Sequence, residues 1–438
     1  MLGFKLSRAC FLIVAAGPSF GITPAAAIEV TEMMRAAIRL PCLAQPGTDL
    51  RSLAERLPLA RPTRNWVRFS PQGIVGRRMA YRLAGGDELI VDFAGPTGHP
   101  QHVTVRHASD EGRRPVMVAI ADHSCTIHTV RRLRYDEAGR AEWLDDLDSG
   151  LRPIGAPAPL NPPVPPGEDP PGLPVGLVDT GVNYLLPEIA ARLARGPDGQ
   201  ILGYDFWELD RRPFDIAPTR DPFFPDHHGT RTASLVLQEA PVAKLIPYRY
   251  PRDDMARMTA LVEDAATHGV RIMNLSVVSR DRDAWRWFHE AARRHPEMLF
   301  VVAAGNDDSN LEQRPVYPAA LTLDNMVVVT SATTGGRLTH GVSWGPKVVH
   351  LMVPGEDIVA LDFDGQRRPV SGSSYATARI SALAACLLAG HPQWPTAELK
   401  AAIFREAQPD QRGEVAAGFV PNAALGNRGA CKPLTLSG

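Results

Sequence analysis

The sequence predicts an α/β fold: a doubly wound parallel sheet preceded by a small, mainly antiparallel β domain. Three observations carry the prediction. From Leu173 onward, short continuous apolar runs alternate with segments of helical spacing, the pattern of βα units. Before residue 150, one helical segment is followed by strand-like runs separated by turn signals. Between the two lies a stretch from Pro153 to Pro174 with ten prolines, a composition that favours extended polyproline II and makes a semi-rigid spacer.

The elements follow in order. Residues 1–27 read as an export signal. Lys5 and Arg8 give a positive start, Ala9 to Ala16 a short apolar stretch, and Pro24-Ala25-Ala26-Ala27 small residues for cleavage before Ile28. The apolar stretch is broken by Gly17 and Pro18, too short for a membrane span of about 20 residues. Residues 28–150 form the N-terminal α+β unit. It opens with a helix around Val30–Arg39 and continues with strands at Arg78–Leu83 and Glu88–Phe93, joined by the hairpin signal Ala84-Gly85-Gly86-Asp87. Strands at Val103–Arg106, Val116–Ala121, Thr126–Arg134 and Ala141–Leu144 complete a meander. Residues 151–174 are the linker and 175–438 the second unit. There, Val175–Val178 reads as a buried strand. Met255, Met258, Leu261, Val262 and Ala265 keep helical spacing up to Gly269. Arg271–Val277, Met298–Ala304 and Met326–Thr330 read as further strands, with a helix over Ala284–His295.

Composition narrows the function. Lys and Arg number 47 against 48 Asp and Glu, and no polybasic run stands out, which argues against nucleic acid or an anionic membrane surface as partner. Four cysteines remain beyond the signal, and an exported chain permits disulfides. Cys42 and Cys125 are expected to pair as a staple for a small core, and Cys386, in an apolar helix, to be a buried thiol. No Cys or His cluster has zinc spacing, so no metal site is assigned.

Four segments carry candidate chemistry at predicted strand–helix junctions, where such sheets place functional groups. Asp179, in Val178-Asp179-Thr180-Gly181, follows a buried strand. His228, in His227-His228-Gly229-Thr230, precedes the helical run Thr232–Leu237 and can serve as a general base at neutral pH. Ser374, in Gly372-Ser373-Ser374-Tyr375-Ala376, opens a long helix of small apolar residues, where free N–H groups can stabilise an oxyanion. Asn306, in Ala303-Ala304-Gly305-Asn306, leaves a strand with a side chain able to donate to the same oxyanion. Taken singly, each segment reads equally as a strand-end turn or helix start.

Together, in the order Asp, His, Asn, Ser, they resemble the subtilisin-like serine peptidases. Asn274-Leu275-Ser276, Val316-Tyr317-Pro318-Ala319, Ser343-Trp344-Gly345-Pro346 and Val353-Pro354-Gly355 extend the likeness, which runs from Leu173 to about Pro409. The resemblance implies a three-layer α/β/α fold and an exported endopeptidase, extracellular or periplasmic, acting on protein or peptide substrates as a monomer. It implies Ser374 as nucleophile, His228 as general base, Asp179 as its partner and Asn306 in the oxyanion hole. It also implies that Ser276, Val277, Val278, Ala303, Ala304 and Gly305 line the pocket for the side chain before the scissile bond. Many relatives bind calcium, but no ligand loop here matches, and no other cofactor is implied. Ser373 stands where the family has Thr, Ala378 where it has Pro, Arg231 where it has His, and Val278 where it has Gly.

Three other classes compete. A catalytically inactive binding protein of the same fold would not react with a fluorophosphonate. A solute-binding protein would need two similar α/β lobes. An aspartic protease would need a second Asp-Thr-Gly to share a proton with Asp179. The N-terminal unit stays open between a removed prosegment and a retained accessory domain.

Overall fold

The computed structural model describes residues 24–44, 62–70, 73–95, 100–217, 221–422 and 431. The chain divides into two compact units, Met1–Tyr135 with Leu144–Ala158 and Asp136–Trp143 with Pro159–Gly438. The expected export signal lies outside the described residues up to position 23; residues 24–27 belong to the first helix.

The first unit packs one helix on a meander. Helix α1 (Pro24–Leu43) is followed by β1 (Arg64–Ser70), β2 (Gly73–Arg82), β3 (Glu88–Ala94), β4 (His102–Ser109), β5 (Arg114–Asp122), β6 (Ile127–Tyr135), β7 (Ala141–Leu147) and β8 (Ala158–Pro159), ordered in the sheet as in the chain. The Ala84–Gly86 turn joins β2 to β3, with both glycines at positive φ (88° and 94°), a conformation L residues avoid. Strand periodicity sends Leu89, Val91 and Phe93 to one face. Met34, Ile38 and Leu40 of α1 close that face as a single core. Cys42 and Cys125 are bonded, as expected. His107 is a core residue whose Nε2 lies 2.7 Å from Asp87 Oδ2.

The second unit is the parallel α/β part. Its elements are β9 (Leu173–Asp179), α2 (Pro187–Ala190), β10 (Tyr204–Asp205), α3 (Gly229–Glu239), β11 (Ala243–Arg249), α4 (Met258–Thr267), β12 (Ile272–Leu275), α5 (Arg286–Arg294), β13 (Leu299–Ala303), β14 (Met326–Ala332) and β15 (Leu351–Pro354). The hairpin β16 (Ile358–Leu361) and β17 (Arg367–Val370), then α6 (Ser373–Gly390), α7 (Thr396–Arg405) and β18 (Gly418–Phe419), complete it. The main sheet runs β10-β11-β9-β12-β13-β14-β15-β18 with parallel pairing throughout. Burial on both faces explains why β13 and β14 are apolar at nearly every position. Met273 and Leu275 join the core with α4 and α5. The intervening Asn274 faces the other way and accepts from Ser381 Oγ of α6 at 2.9 Å. Helices therefore cover both faces, in three layers.

The proline-rich run from Pro159 is held against this unit. Tyr184 Oη donates to Pro162 O (2.6 Å), Arg195 to Pro165 O (2.9 Å), and Asp169 accepts from the Arg195 N–H (2.8 Å). One expectation is corrected. Cys386 is not a free thiol but is bonded to Cys431, their α-carbons 4.6 Å apart, because the chain returns to the buried helix α6 after 45 residues. No described helix is long and apolar enough to cross a membrane.

Candidate active site

The chain runs from β9 to β10 and β11 on one side of it and then crosses to β12 on the other, so the strand order reverses at β9, the place where such sheets leave a crevice at their carboxyl ends. Asp179 is the last residue of β9 and is fully buried. Its Oδ1 accepts from the Thr180 N–H at 2.7 Å, and its Oδ2 from Thr232 Oγ1 at 3.0 Å. His228 Nδ1 lies 2.7 Å from Asp179 Oδ1.

Two glycines make this approach feasible. A Cβ on Gly229 would stand 1.9 Å from the Gly181 carbonyl oxygen, so α3 reaches the end of β9 only without one. A Cβ on Gly181 would stand 2.3 Å from Phe214 O, and its φ of 102° suits glycine. The adjacent histidine is turned away. His227 places Nδ1 2.6 Å from Asp215 O and stacks on Phe363 at 3.6 Å.

Asp215 is a functional neighbour that sequence reasoning missed. It is fully buried, accepts from Thr180 Oγ1 at 2.5 Å, and receives the N–H groups of His228 (3.2 Å) and Thr230 (2.8 Å). His228 is the N-cap residue of α3 and makes no side-chain cap of its own. Asp215 thus supplies, from a distant loop, the acceptor that the first turn needs. Burial opposes the charged form of His228, but Asp179, aided by Asp215, outweighs it and the lowering by Arg231, so its pKa stands above the ordinary histidine value. Thr232 was also missed; its place four residues after His228, on the same helix face, is the signal that could have found it.

Ser374 is the second residue of α6 and is buried. Its N–H belongs to the first turn, which has no intrahelical acceptors. Tyr375 lies beside the His228 ring, centroids 5.7 Å apart, so the start of α6 adjoins the imidazole. The exposed Asn306 follows Gly305 at the end of β13, and its Oδ1 accepts from the Ser373 N–H at 2.9 Å. That bond leaves Nδ2 as the donating end. Gly372 lets the amide abut α6, since a Cβ there would sit 3.3 Å from it. Ser373 Oγ accepts from the Gly305 N–H at 3.1 Å, a hydroxyl role that Ser fills as Thr would. Ser276 Oγ donates to Ser374 O at 3.2 Å. The ends of β12 and β13, with Ser276-Val277-Val278 and Ala303-Ala304-Gly305, therefore converge on the start of α6.

Arg231 pairs both ways with Asp362 (2.8 and 3.1 Å), tying the β16–β17 hairpin to α3. Burial pushes Asp362 up, but Arg231, Arg368 and the Phe363 N–H prevail and hold it at about 2. Among the described residues, no group of three or more His, Cys, Asp or Glu side chains is arranged to hold a metal ion.

Comparison with known proteins bears on this arrangement. The subtilase family model matches residues 171–427, more than half of the chain. The chain is similar to the thermophilic serine proteinase of Bacillus sp. (strain AK1), 26% identical over 234 residues, 49% of this chain and 52% of that protein. It is also similar to the cell wall-associated protease of Bacillus subtilis (strain 168), 24% identical over 247 residues, 53% of this chain and 25% of that protein. It thus spans about half the length of the first relative and a quarter of the second. A solved cold adapted subtilisin-like serine proteinase superimposes with a TM-score of 0.47 at 22% identity, covering 60% of this chain and 92% of that chain.

Proposed function

The chain belongs to the subtilase family of serine peptidases, and on that premise we propose that it is an exported serine endopeptidase acting through an acyl-enzyme on Ser374. The observation that carries the proposal is the 2.7 Å contact between His228 Nδ1 and the buried Asp179 carboxylate, with the start of α6 beside the ring. A carboxylate held by Thr180 and Thr232 fixes the tautomer that leaves Nε2 free to accept a proton.

In the proposed reaction, Ser374 Oγ attacks the peptide carbonyl carbon while His228 Nε2 takes its proton. Asp179 stabilises the imidazolium so formed. The carbonyl oxygen, now an anion, receives hydrogen bonds from Asn306 Nδ2 and the Ser374 N–H. His228 returns the proton to the leaving amine, and the ester stays on Ser374. Water then repeats the sequence, giving up a proton to His228 and releasing the acid. By family resemblance, Ser276, Val277, Val278, Ala303, Ala304 and Gly305 line the pocket beside the acyl group. Substrates are proteins or peptides. The two disulfides suit an oxidising compartment, outside the cell or in a periplasm.

Fluorophosphonate labelling tests the reading. The purified protein is expected to take up one label, mapped to Ser374, and a Ser374→Ala variant none. A correctly folded native protein that stays unlabelled would instead support an inactive binding protein of this fold.

A further inference from the structure

The pocket beside the acyl group is narrowed by one of its own walls. An acyl group on Ser374, with its oxygen at Asn306 Nδ2, carries its α-carbon over the ends of β12 and β13. Those are the strand ends hydrogen-bonded to the start of α6, through Ser276 Oγ and the Gly305 N–H. By family resemblance, the side chain of that residue passes between the 276–278 segment and Gly305. The exposed Val278 borders this gap. Its Cγ2 lies 3.6 Å from the position a Cβ on Gly305 would take, ordinary van der Waals distance, so the space between the two walls has the size of a methyl group. Val316 Cγ2 stands at the same distance and Ser343 Oγ at 3.7 Å, closing the floor.

The segment is also pinned where it is. Ser279 and Tyr317 exchange both backbone hydrogen bonds, at 2.9 and 2.7 Å. Trp285 Nε1 donates to Ser279 Oγ at 2.9 Å. Arg280 on one wall pairs with Asp307 on the other at 2.7 Å. Backing the valine out to admit a large side chain would break these contacts, and a β-branched side chain has little rotamer freedom with which to give way.

We propose that Val278 is a specificity-determining residue that restricts the acyl-side position to small side chains such as Ala, Ser and Gly. The proposal rests on the endopeptidase reading above. Arg280 and Asp307, close in sequence to the two walls, pair with each other at 2.7 Å.

The experiment compares kcat/KM on peptides identical except for Ala, Leu or Phe before the cleaved bond, for the native protein and for Val278→Gly and Val278→Ala. Ala is expected to exceed Phe in the native protein by roughly ten- to a hundredfold, the usual cost of overpacking a pocket. Val278→Gly should raise the Phe-to-Ala ratio of kcat/KM by a comparable factor. Val278→Ala should fall between them. A denaturant unfolding midpoint near that of the native protein shows that each variant is folded; should Val278→Gly lose it, Val278→Ala decides. A native preference for Phe, or a Phe-to-Ala ratio unmoved in the variants, overturns the proposal while leaving the endopeptidase reading intact. Cleavage of none of the peptides by native protein that takes no fluorophosphonate label overturns both.

Discussion

The two sheets hold their charges in opposite places. In the antiparallel sheet, each charge pair keeps at least one partly exposed partner: Arg78 with Asp92 (2.8 Å), Arg132 with Asp145 (2.7 Å) and Arg131 with Asp146 (2.9 Å). At one strand end of the parallel sheet, Asp179 and the loop residue Asp215 are fully buried and both accept hydrogen bonds from Thr180. A pair on a wet face is screened and constrains little. A carboxylate withdrawn from water must be met by donors, and every donor so recruited is fixed in place. Asp179 and Asp215 together recruit Thr180, His228, Thr230 and Thr232, and thereby set the imidazole.

The largest break in this contrast should come at the strand-end site. Ser374→Ala is expected to lose on the order of 10⁶ in kcat, a magnitude known from subtilisin, a member of this family, rather than derived from this geometry. Its unfolding midpoint should stay near that of the native protein. Activity within tenfold of native would refute the triad.

In the antiparallel sheet the largest effect should be on stability. Leu89 of β3 is fully buried against α1, so Leu89→Ala is expected to cost about 2–5 kcal/mol of unfolding free energy. Denaturant unfolding of the purified variant measures it, and a loss below about 1 kcal/mol would mean the core refills the space.

The buried carboxylates should also show in the pH profile. Only neutral His228 can accept the Ser374 proton, so kcat/KM should fall as pH drops through a pKa above the ordinary histidine value. Asp179 and Asp215 raise that pKa, against burial and Arg231. Asp215→Asn keeps an oxygen acceptor for α3 but removes one negative charge, so the acid limb should move to lower pH. A limb that does not move would reduce Asp215 to a helix cap.

The smallest effect should be on the wet face. Arg78 is half exposed, and Arg78→Ala is expected to change stability by only about 0–1 kcal/mol, less at high salt. A loss well above that would place the Arg78–Asp92 pair among the contacts that organise the sheet.

Much of this was legible in the residues. The runs at Val175–Val178, Met298–Ala304 and Met326–Thr330 lie within β9, around β13 and within β14, because strands buried on both faces must be apolar throughout. The pairing of Cys42 with Cys125 followed from the needs of a small core. β11 and β15 went unread, although Ala243–Arg249 is buried at nearly every position, because Lys244, Pro247 and Arg249 interrupt its apolar character. Of the site, the segments around Asp179, His228, Asn306 and Ser374 stood out only as an ordered set resembling a known family, and glycine flanks the first two because two backbones touch at Gly181 and Gly229.

The sequence by itself determined the βα alternation, the strand ends that carry the polar residues, and the glycines that let those ends approach. Only the tertiary structure decided that Asp215 caps α3, that Cys386 meets Cys431, and that Val278 turns toward Gly305. The physical reason is range. Periodicity and turn chemistry act over a few residues, whereas each of these contacts joins segments from different parts of the chain. Their meeting is set by how the layers pack and by which buried polar groups must find a partner.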